Sequence, residues 1–220
     1  MLNVKNLTVR YGSLTILENI SFSVEEGQWL MVVGPNGAGK STLIHAISQG
    51  MPYTGNVELD GRNLSSLKPV ERARQMGVLM QNHMVNYSFT VEEVVRLGRY
   101  AYGSGLFSGA SPEDESKVEQ ALEQTGMQPL RKQSVLTLSG GELQRTFLAQ
   151  LLAQNPKILF LDEPSNHLDL VYQKQMFGLI QEWLQVPGRA VVSVVHDLSL
   201  AKAYGTHGLL MHRVKTVAQG

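Results

Sequence analysis

No cysteine occurs among the 220 residues, which excludes a disulfide framework, a thiolate metal centre and a cysteine nucleophile and suits a reducing compartment. Excess charge of either sign is also missing. Nineteen Lys and Arg balance 19 Asp and Glu, so no global basic field exists to hold nucleic acid or anionic lipid, and no nucleic-acid partner is expected. No apolar run approaches the roughly 18–20 residues that a bilayer span needs. The first thirty residues carry no charged stretch followed by an apolar one, so no secretion signal is expected. A role at a membrane would therefore be played from the water side. Internal repeats are absent too. What remains is ordinary globular composition, 43% hydrophobic and 17% charged, in a chain long enough to bury roughly 70% of its unfolded surface.

Patterning along the chain predicts an α/β fold. Val4 to Tyr11 and Thr15 to Val24 alternate apolar and polar residues around Gly12-Ser13, which predicts a hairpin. Gln28 to Val33 is a short apolar run of the buried-strand kind. Helical spacing follows over Ser41–Ser48, then strands over Asn56–Leu59 and Gly77–Met80. The middle changes character: helices are predicted at Val91–Leu97 and Pro112–Thr125, around a Gly- and Ser-rich loop, Tyr100–Ser111. Helix Gly140–Ala153, strand Ile158–Leu161, helix Leu170–Val186, strand Ala190–Val195, helix Leu198–Tyr204 and closing strands complete the chain. Apolar strand, turn and amphipathic helix in alternation imply a mostly parallel sheet flanked by helices. The N-terminal strands add an antiparallel portion, and the middle a helical insert.

Gly34-Pro35-Asn36-Gly37-Ala38-Gly39-Lys40-Ser41-Thr42 satisfies the phosphate-loop pattern between a predicted strand and helix. Glycines allow main-chain N–H groups to turn inward around an anion. The following helix offers its N-terminus to phosphate oxygens. Lys40 is placed to reach β- and γ-phosphates, and the Ser41 hydroxyl to ligate Mg²⁺. Further on, the apolar strand ending Phe160-Leu161 delivers Asp162 and Glu163 at its C-terminal end, where α/β sheets bind ligands. Asp162 suits Mg²⁺ coordination, and Glu163 suits a general base acting on water. The motif implies a core of the P-loop NTPase type.

Leu138-Ser139-Gly140-Gly141-Glu142, with Gln144-Arg145, resembles the signature motif of ATP-binding cassette (ABC) ATPases, and the resemblance covers essentially the whole chain. Ser139 and Glu142 are equally a capping box opening a helix. Gly140 and Gly141 weaken a first turn and favour close approach of a phosphate to bare backbone. The resemblance implies a single ABC ATPase domain over 1–220, with 1–80 and 155–220 as nucleotide-binding core and about 88–153 as helical subdomain. It implies ATP and Mg²⁺ as ligands and a homodimer in which Ser139, Gly140, Gly141 and Glu142 face the nucleotide of the other copy. Gln81 then matches the Q-loop glutamine, near Mg²⁺ or the attacking water. His196 matches the switch histidine, Asp169 the D-loop aspartate within Ser165–Asp169, and Tyr11 the aromatic that stacks on adenine. Asp197 is read as an N-cap, and His45, His83, His167, His207 and His212 as structural, because their spacing matches no metal site.

Ser88-Phe89-Thr90-Val91-Glu92-Glu93-Val94-Val95 with Leu97-Gly98-Arg99-Tyr100 is similar to ATPases of bacterial importers for iron-siderophore, haem and cobalamin. This implies a separate integral-membrane permease, an extracytoplasmic solute-binding protein acting indirectly, and a peripheral place on the cytoplasmic face of the cell membrane. The alternative is a soluble ABC ATPase acting on the ribosome or another non-transport partner, since Asn166-His167-Leu168-Asp169 is also similar to those proteins. Two departures stand out. Gly205-Thr206-His207 replaces a charged pair usual in such chains, and Gly220 comes earlier than the end of most relatives.

Overall fold

The computed structural model describes residues 1–81, 88–103, 111–166 and 168–220. His83, His167 and positions 104–110 of the expected loop lie outside the described residues. β1 (Leu2–Tyr11) and β2 (Leu14–Val24) form the expected hairpin, turned by Gly12 at φ 59°. β1 also pairs with β4 (Thr54–Leu59), and β4 with β5 (Arg62–Asn63), giving an antiparallel sheet in the order β2-β1-β4-β5.

The second sheet has six strands. β3 (Trp29–Val33), β6 (Met76–Leu79), β7 (Ile158–Asp162), β8 (Ala190–Val194) and β9 (His207–His212) run parallel, and β10 (Lys215–Gln219) closes it antiparallel to β9. Their order is β10-β9-β3-β8-β7-β6. Because side chains alternate faces along a strand, β3 sends Leu30 and Val32 into one core cluster and Trp29 and Met31 into another; β7 likewise divides Ile158 and Phe160 from Leu159 and Leu161. The first cluster lies against the antiparallel sheet and helix α1 (Lys40–Ile47). The second is covered by α5 (Gly140–Gln154), α6 (Leu170–Leu184) and α7 (Leu198–Tyr204). Within it Trp29 Nε1 donates to Ser193 Oγ at 2.8 Å, so the buried indole N–H is satisfied.

A third cluster joins α3 (Val91–Leu97) and α4 (Pro112–Gln124) to α5. α5 belongs to both halves: Leu148 and Leu151 face the sheet, Ala149 and Ala153 face the insert. All three helices open with a capping box, Thr90–Glu93, Ser111–Asp114 and Ser139–Glu142. Buried Arg99 ties α4 to the bundle, donating to Asp114 at 2.7 Å and to Ala153 O at 2.9 Å, with its guanidinium over the Tyr102 ring.

The α/β class, antiparallel N-terminal portion and helical insert agree with expectation, and element ends differ by a few residues. One helix was not expected: α2 (Pro69–Gln75), which buries none of its residues and so carries no apolar stripe to read. Its available signals were Pro69 at the first position and Glu71, which accepts from Lys68 N at 3.0 Å. The expected loop from Tyr100 also begins with a 3₁₀ turn, Tyr100–Tyr102.

Gly205-Thr206-His207 needs no charged pair. Thr206 Oγ1 accepts from Trp29 N at 2.8 Å, and His207 Nε2 lies 3.2 Å from Gln28 Nε2. A Cβ at Gly205 would sit 2.6 Å from Ala201 O, which explains glycine there.

Candidate functional site

Parallel register delivers four chain segments to one edge of the six-stranded sheet. Leu79 pairs with Leu161, Asp162 with Val194, and Val32 with Val194, so the C-terminal ends of β6, β7, β8 and β3 lie side by side. From these ends emerge Gln81, Asp162 with Glu163, His196, and the Gly34–Thr42 loop. Such an edge is where parallel sheets place ligands.

The loop depends on its glycines. Gly34 has φ 150° and Gly39 φ 93°. A Cβ on Gly34 would lie 2.1 Å from Met211 O, and one on Gly39 2.5 Å from Leu17 Cδ2 and 3.0 Å from Ile16 O. Pro35, Asn36 and Gly37 are exposed, Ala38 is buried, and Ser41 and Thr42 are half-buried at the start of α1. Lys40 is only 5% exposed and donates from Nζ to Gly34 O at 2.9 Å and Pro35 O at 3.1 Å. The ammonium therefore lies across the mouth of its own loop, satisfied by carbonyls. Burial lowers its pKa, while Glu163 and Asp162 pull in the opposite direction. Ser41 Oγ donates to Asp162 Oδ1 at 2.9 Å. Asp162 is almost wholly buried, which pushes its pKa up, against the Ser41 hydrogen bond.

Glu163 lies at the centre of a second constellation. It is 8% exposed and holds φ 51°, a left-handed backbone that costs a non-glycine residue about 1 kcal/mol or more. Its N–H donates to Val194 O at 3.1 Å, and its carbonyl accepts from Asn166 N at 3.1 Å. Gln81 Nε2 donates to Glu163 Oε2 at 2.7 Å, and His196 Nε2 meets Oε1. Both Gln81 and His196 thus converge on the carboxylate.

For a hard divalent cation the donors at hand are the Ser41 hydroxyl, the Asp162 carboxylate and the Gln81 amide. Among the described residues no group of three or more His, Cys, Asp or Glu is arranged as a metal cage. An oxygen-only set with few protein ligands fits Mg²⁺, which keeps water and phosphate oxygens in its shell. It does not fit zinc.

The signature segment stands apart. Ser139 caps α5: its Oγ and N–H both donate to Glu142 Oε2 at 2.8 Å, and it accepts from Glu142 N at 3.3 Å. Ser139 and Gly140 are exposed. With Gly141, Glu142, Arg145, Leu168, Asp169 and Tyr172 they line an open cavity of about 510 Å³. Asp169 caps α6, accepting from Val171 N at 3.0 Å and Tyr172 N at 2.9 Å. Tyr11 is 78% exposed at the hairpin tip, in the sheet whose Leu17 packs on Gly39. Asp197 caps α7 as expected, accepting from Ser199 N at 2.7 Å.

Two residues that the sequence offered only as parts of the signature and D-loop resemblances, with no role of their own, make contacts at the site. Gln144 is buried and donates to Pro164 O at 3.0 Å, fastening α5 to the turn after Glu163. Asn166 Nδ2 reaches Glu163 Oε2 at 2.5 Å. Its sequence signal was its place in the D-loop segment Ser165–Asp169, three residues after Glu163.

A family profile described as ABC transporter matches residues 17–166. An uncharacterised ABC transporter ATP-binding protein of Bacillus subtilis, YvrA, is 45% identical over 204 residues, covering 92% of this chain and 46% of the relative, so the chain spans about half of that protein's length. The ferric enterobactin transport ATP-binding protein FepC of Escherichia coli is 40% identical over 217 residues, 98% of this chain and 80% of FepC. Among solved structures, a dimeric ATP-binding cassette in a post-hydrolysis state, bound to ADP and Pi, superposes with a TM-score of 0.87 at 25% identity, over 100% of this chain and 98% of the other.

Proposed function

The chain belongs to the ABC transporter ATP-binding family, and from that premise we propose that it binds and hydrolyses ATP to drive import of an iron chelate, haem or cobalamin through a separate integral-membrane permease. The cargo class rests on relatives such as FepC, named for ferric enterobactin transport. Among the described residues no helix is long and apolar enough to cross a membrane. In this reading the protein sits peripherally on the cytoplasmic face, and a solute-binding protein on the far side hands over the cargo. Residues 1–80 and 155–220 serve as the nucleotide-binding core, and about 88–153 as the helical subdomain.

The observation that carries the reading is the convergence of Lys40, Ser41, Asp162, Glu163, Gln81 and His196 at one sheet edge. Main-chain N–H groups of Gly34–Thr42 and the start of α1 receive the phosphates. Lys40 trades its two carbonyl partners for β- and γ-phosphate oxygens. Mg²⁺, held by Ser41 and Asp162 with Gln81 nearby, would neutralise charge on the β- and γ-phosphates. Water attacks the γ-phosphorus in line, the bond to the ADP oxygen breaks, and the water's proton goes to the Glu163 carboxylate. Gln81 and His196 orient that carboxylate. Tyr11 stacks on the base, and Ser139 to Glu142 with Asp169 of a second copy close over the phosphates. The dimeric cassette bound to ADP and Pi supports such an arrangement.

Glu163→Gln tests the assignment. It keeps the shape and removes the base, so ATP binding should persist while phosphate release falls by about 100-fold or more. Unaltered turnover in that variant would refute it.

A further inference from the structure

We propose that Asn166 is a positioning residue for Glu163: its side-chain amide holds the carboxylate in the orientation from which it takes the proton of the attacking water. The inference rests on the reading of Glu163 as general base.

An ionised carboxylate only accepts hydrogen bonds and offers about four lone-pair sites on its two oxygens. Gln81 Nε2 and Asn166 Nδ2 both occupy Oε2, and His196 Nε2 occupies Oε1. Three of the sites are thus filled by donors from three different segments, and one remains for a water. Since the carboxylate cannot donate, the amides of Gln81 and Asn166 must present nitrogen to it. Asn166 is bound to the same residue twice, because its main-chain N–H also closes the turn on Glu163 O at 3.1 Å. The two bonds divide the work. Closing the turn needs only a main-chain N–H, which every residue but proline supplies. Reaching Oε2 needs a donor at the end of a short side chain, which asparagine supplies and aspartate does not.

Gln81 and His196 enter from β6 and β8, whereas Asn166 shares the turn of Glu163 and moves with it. Gln144 anchors that turn from α5 through Pro164 O at 3.0 Å. Asn166 therefore keeps Glu163 oriented within its own turn, whichever way the other two donors shift.

The test compares the purified full chain with Asn166→Ala, Asn166→Asp and Glu163→Gln, measuring phosphate release over a range of MgATP concentrations and thermal melting. Loss of one hydrogen bond to a charged group lowers kcat about tenfold in Asn166→Ala, with KM for MgATP unchanged. Asn166→Asp keeps the turn but sets a second carboxylate against Oε2, so its kcat falls further. A purely structural role predicts the opposite, with Asn166→Asp close to the parent. Parental kcat in Asn166→Asp overturns the proposal, and this variant decides the matter if Asn166→Ala does not fold. If Glu163→Gln keeps full turnover, the base reading itself fails and the proposal falls with it. If Glu163→Gln is inactive while both Asn166 variants match the parent, only the role of Asn166 is refuted.

Discussion

Lys40, Ser41, Asp162 and Glu163 are buried or half-buried and bonded to the loop carbonyls, to one another or to Gln81 and His196. Ser139, Gly140 and Gly141 face an open cavity, and the Ser139 side chain exchanges hydrogen bonds with Glu142 of its own first turn. The first region is held in place by the strands of the sheet before any ligand arrives. The second is a helix start whose capping needs are met locally and whose outer face is left unused. One region is preorganised by the chain's own core, and the other is an open surface, which the proposed function gives to a second copy.

Gly141→Asp breaks that comparison most severely. In the proposed dimer a carboxylate on the open face would repel the phosphates of the partner's nucleotide, and like-charge juxtaposition costs several kcal/mol. Turnover should fall by about 100-fold while nucleotide binding to the single chain, measured by calorimetry, is unchanged. Weakened binding to the monomer would mean that the two regions are not separable. Tyr11→Ala tests whether the exposed hairpin tip belongs to the proposed nucleotide site. Loss of stacking should weaken ATP about tenfold without touching kcat, read from a titration with MgATP. An unchanged affinity would remove Tyr11 from the site.

The smallest effect lies in the insert and sharpens the contrast between a site and its scaffold. Arg131 and Lys132 donate to the buried Glu92 carboxylate, with Arg96 added, and hold its pKa down to about 2 from 4.5. A carboxylate whose folded pKa is depressed stabilises the fold fully above its unfolded value and ceases to do so as pH falls through the folded one. Glu92→Gln should therefore melt lower than the parent at pH 7, by about 2–4 °C for each kcal/mol lost. The gap should close between about pH 4.5 and pH 2. A gap independent of pH would place the effect in packing instead of charge.

Elements with a buried face were legible in the sequence. β3, β7 and β8 read as apolar runs because both faces of a parallel sheet are covered, and α5 and α6 read as stripes. α2 was illegible because it buries nothing. The phosphate loop was legible because all its parts are adjacent in the chain. Gln81 and His196 were placed only through family resemblance, since a polar residue ending a strand is unremarkable until its neighbour across the sheet is known. Gln144 was legible only as part of the signature resemblance, and its burial against Pro164 O came from the tertiary structure alone.

By itself, then, the sequence determined what local rules and apolar periodicity encode: the strands and helices of an α/β chain, the caps, and a glycine-lined elbow shaped for phosphate. Only the tertiary structure decided which side chains share an atom. Register between parallel strands set Gln81 and His196 on the two oxygens of Glu163, while the fold of their own turns brought Asn166 onto the same carboxylate and Lys40 onto its loop carbonyls. The physical reason is that hydrogen bonds between distant segments depend on ångström-scale placement, which is set by how the whole sheet packs and not by the residues that make the bond.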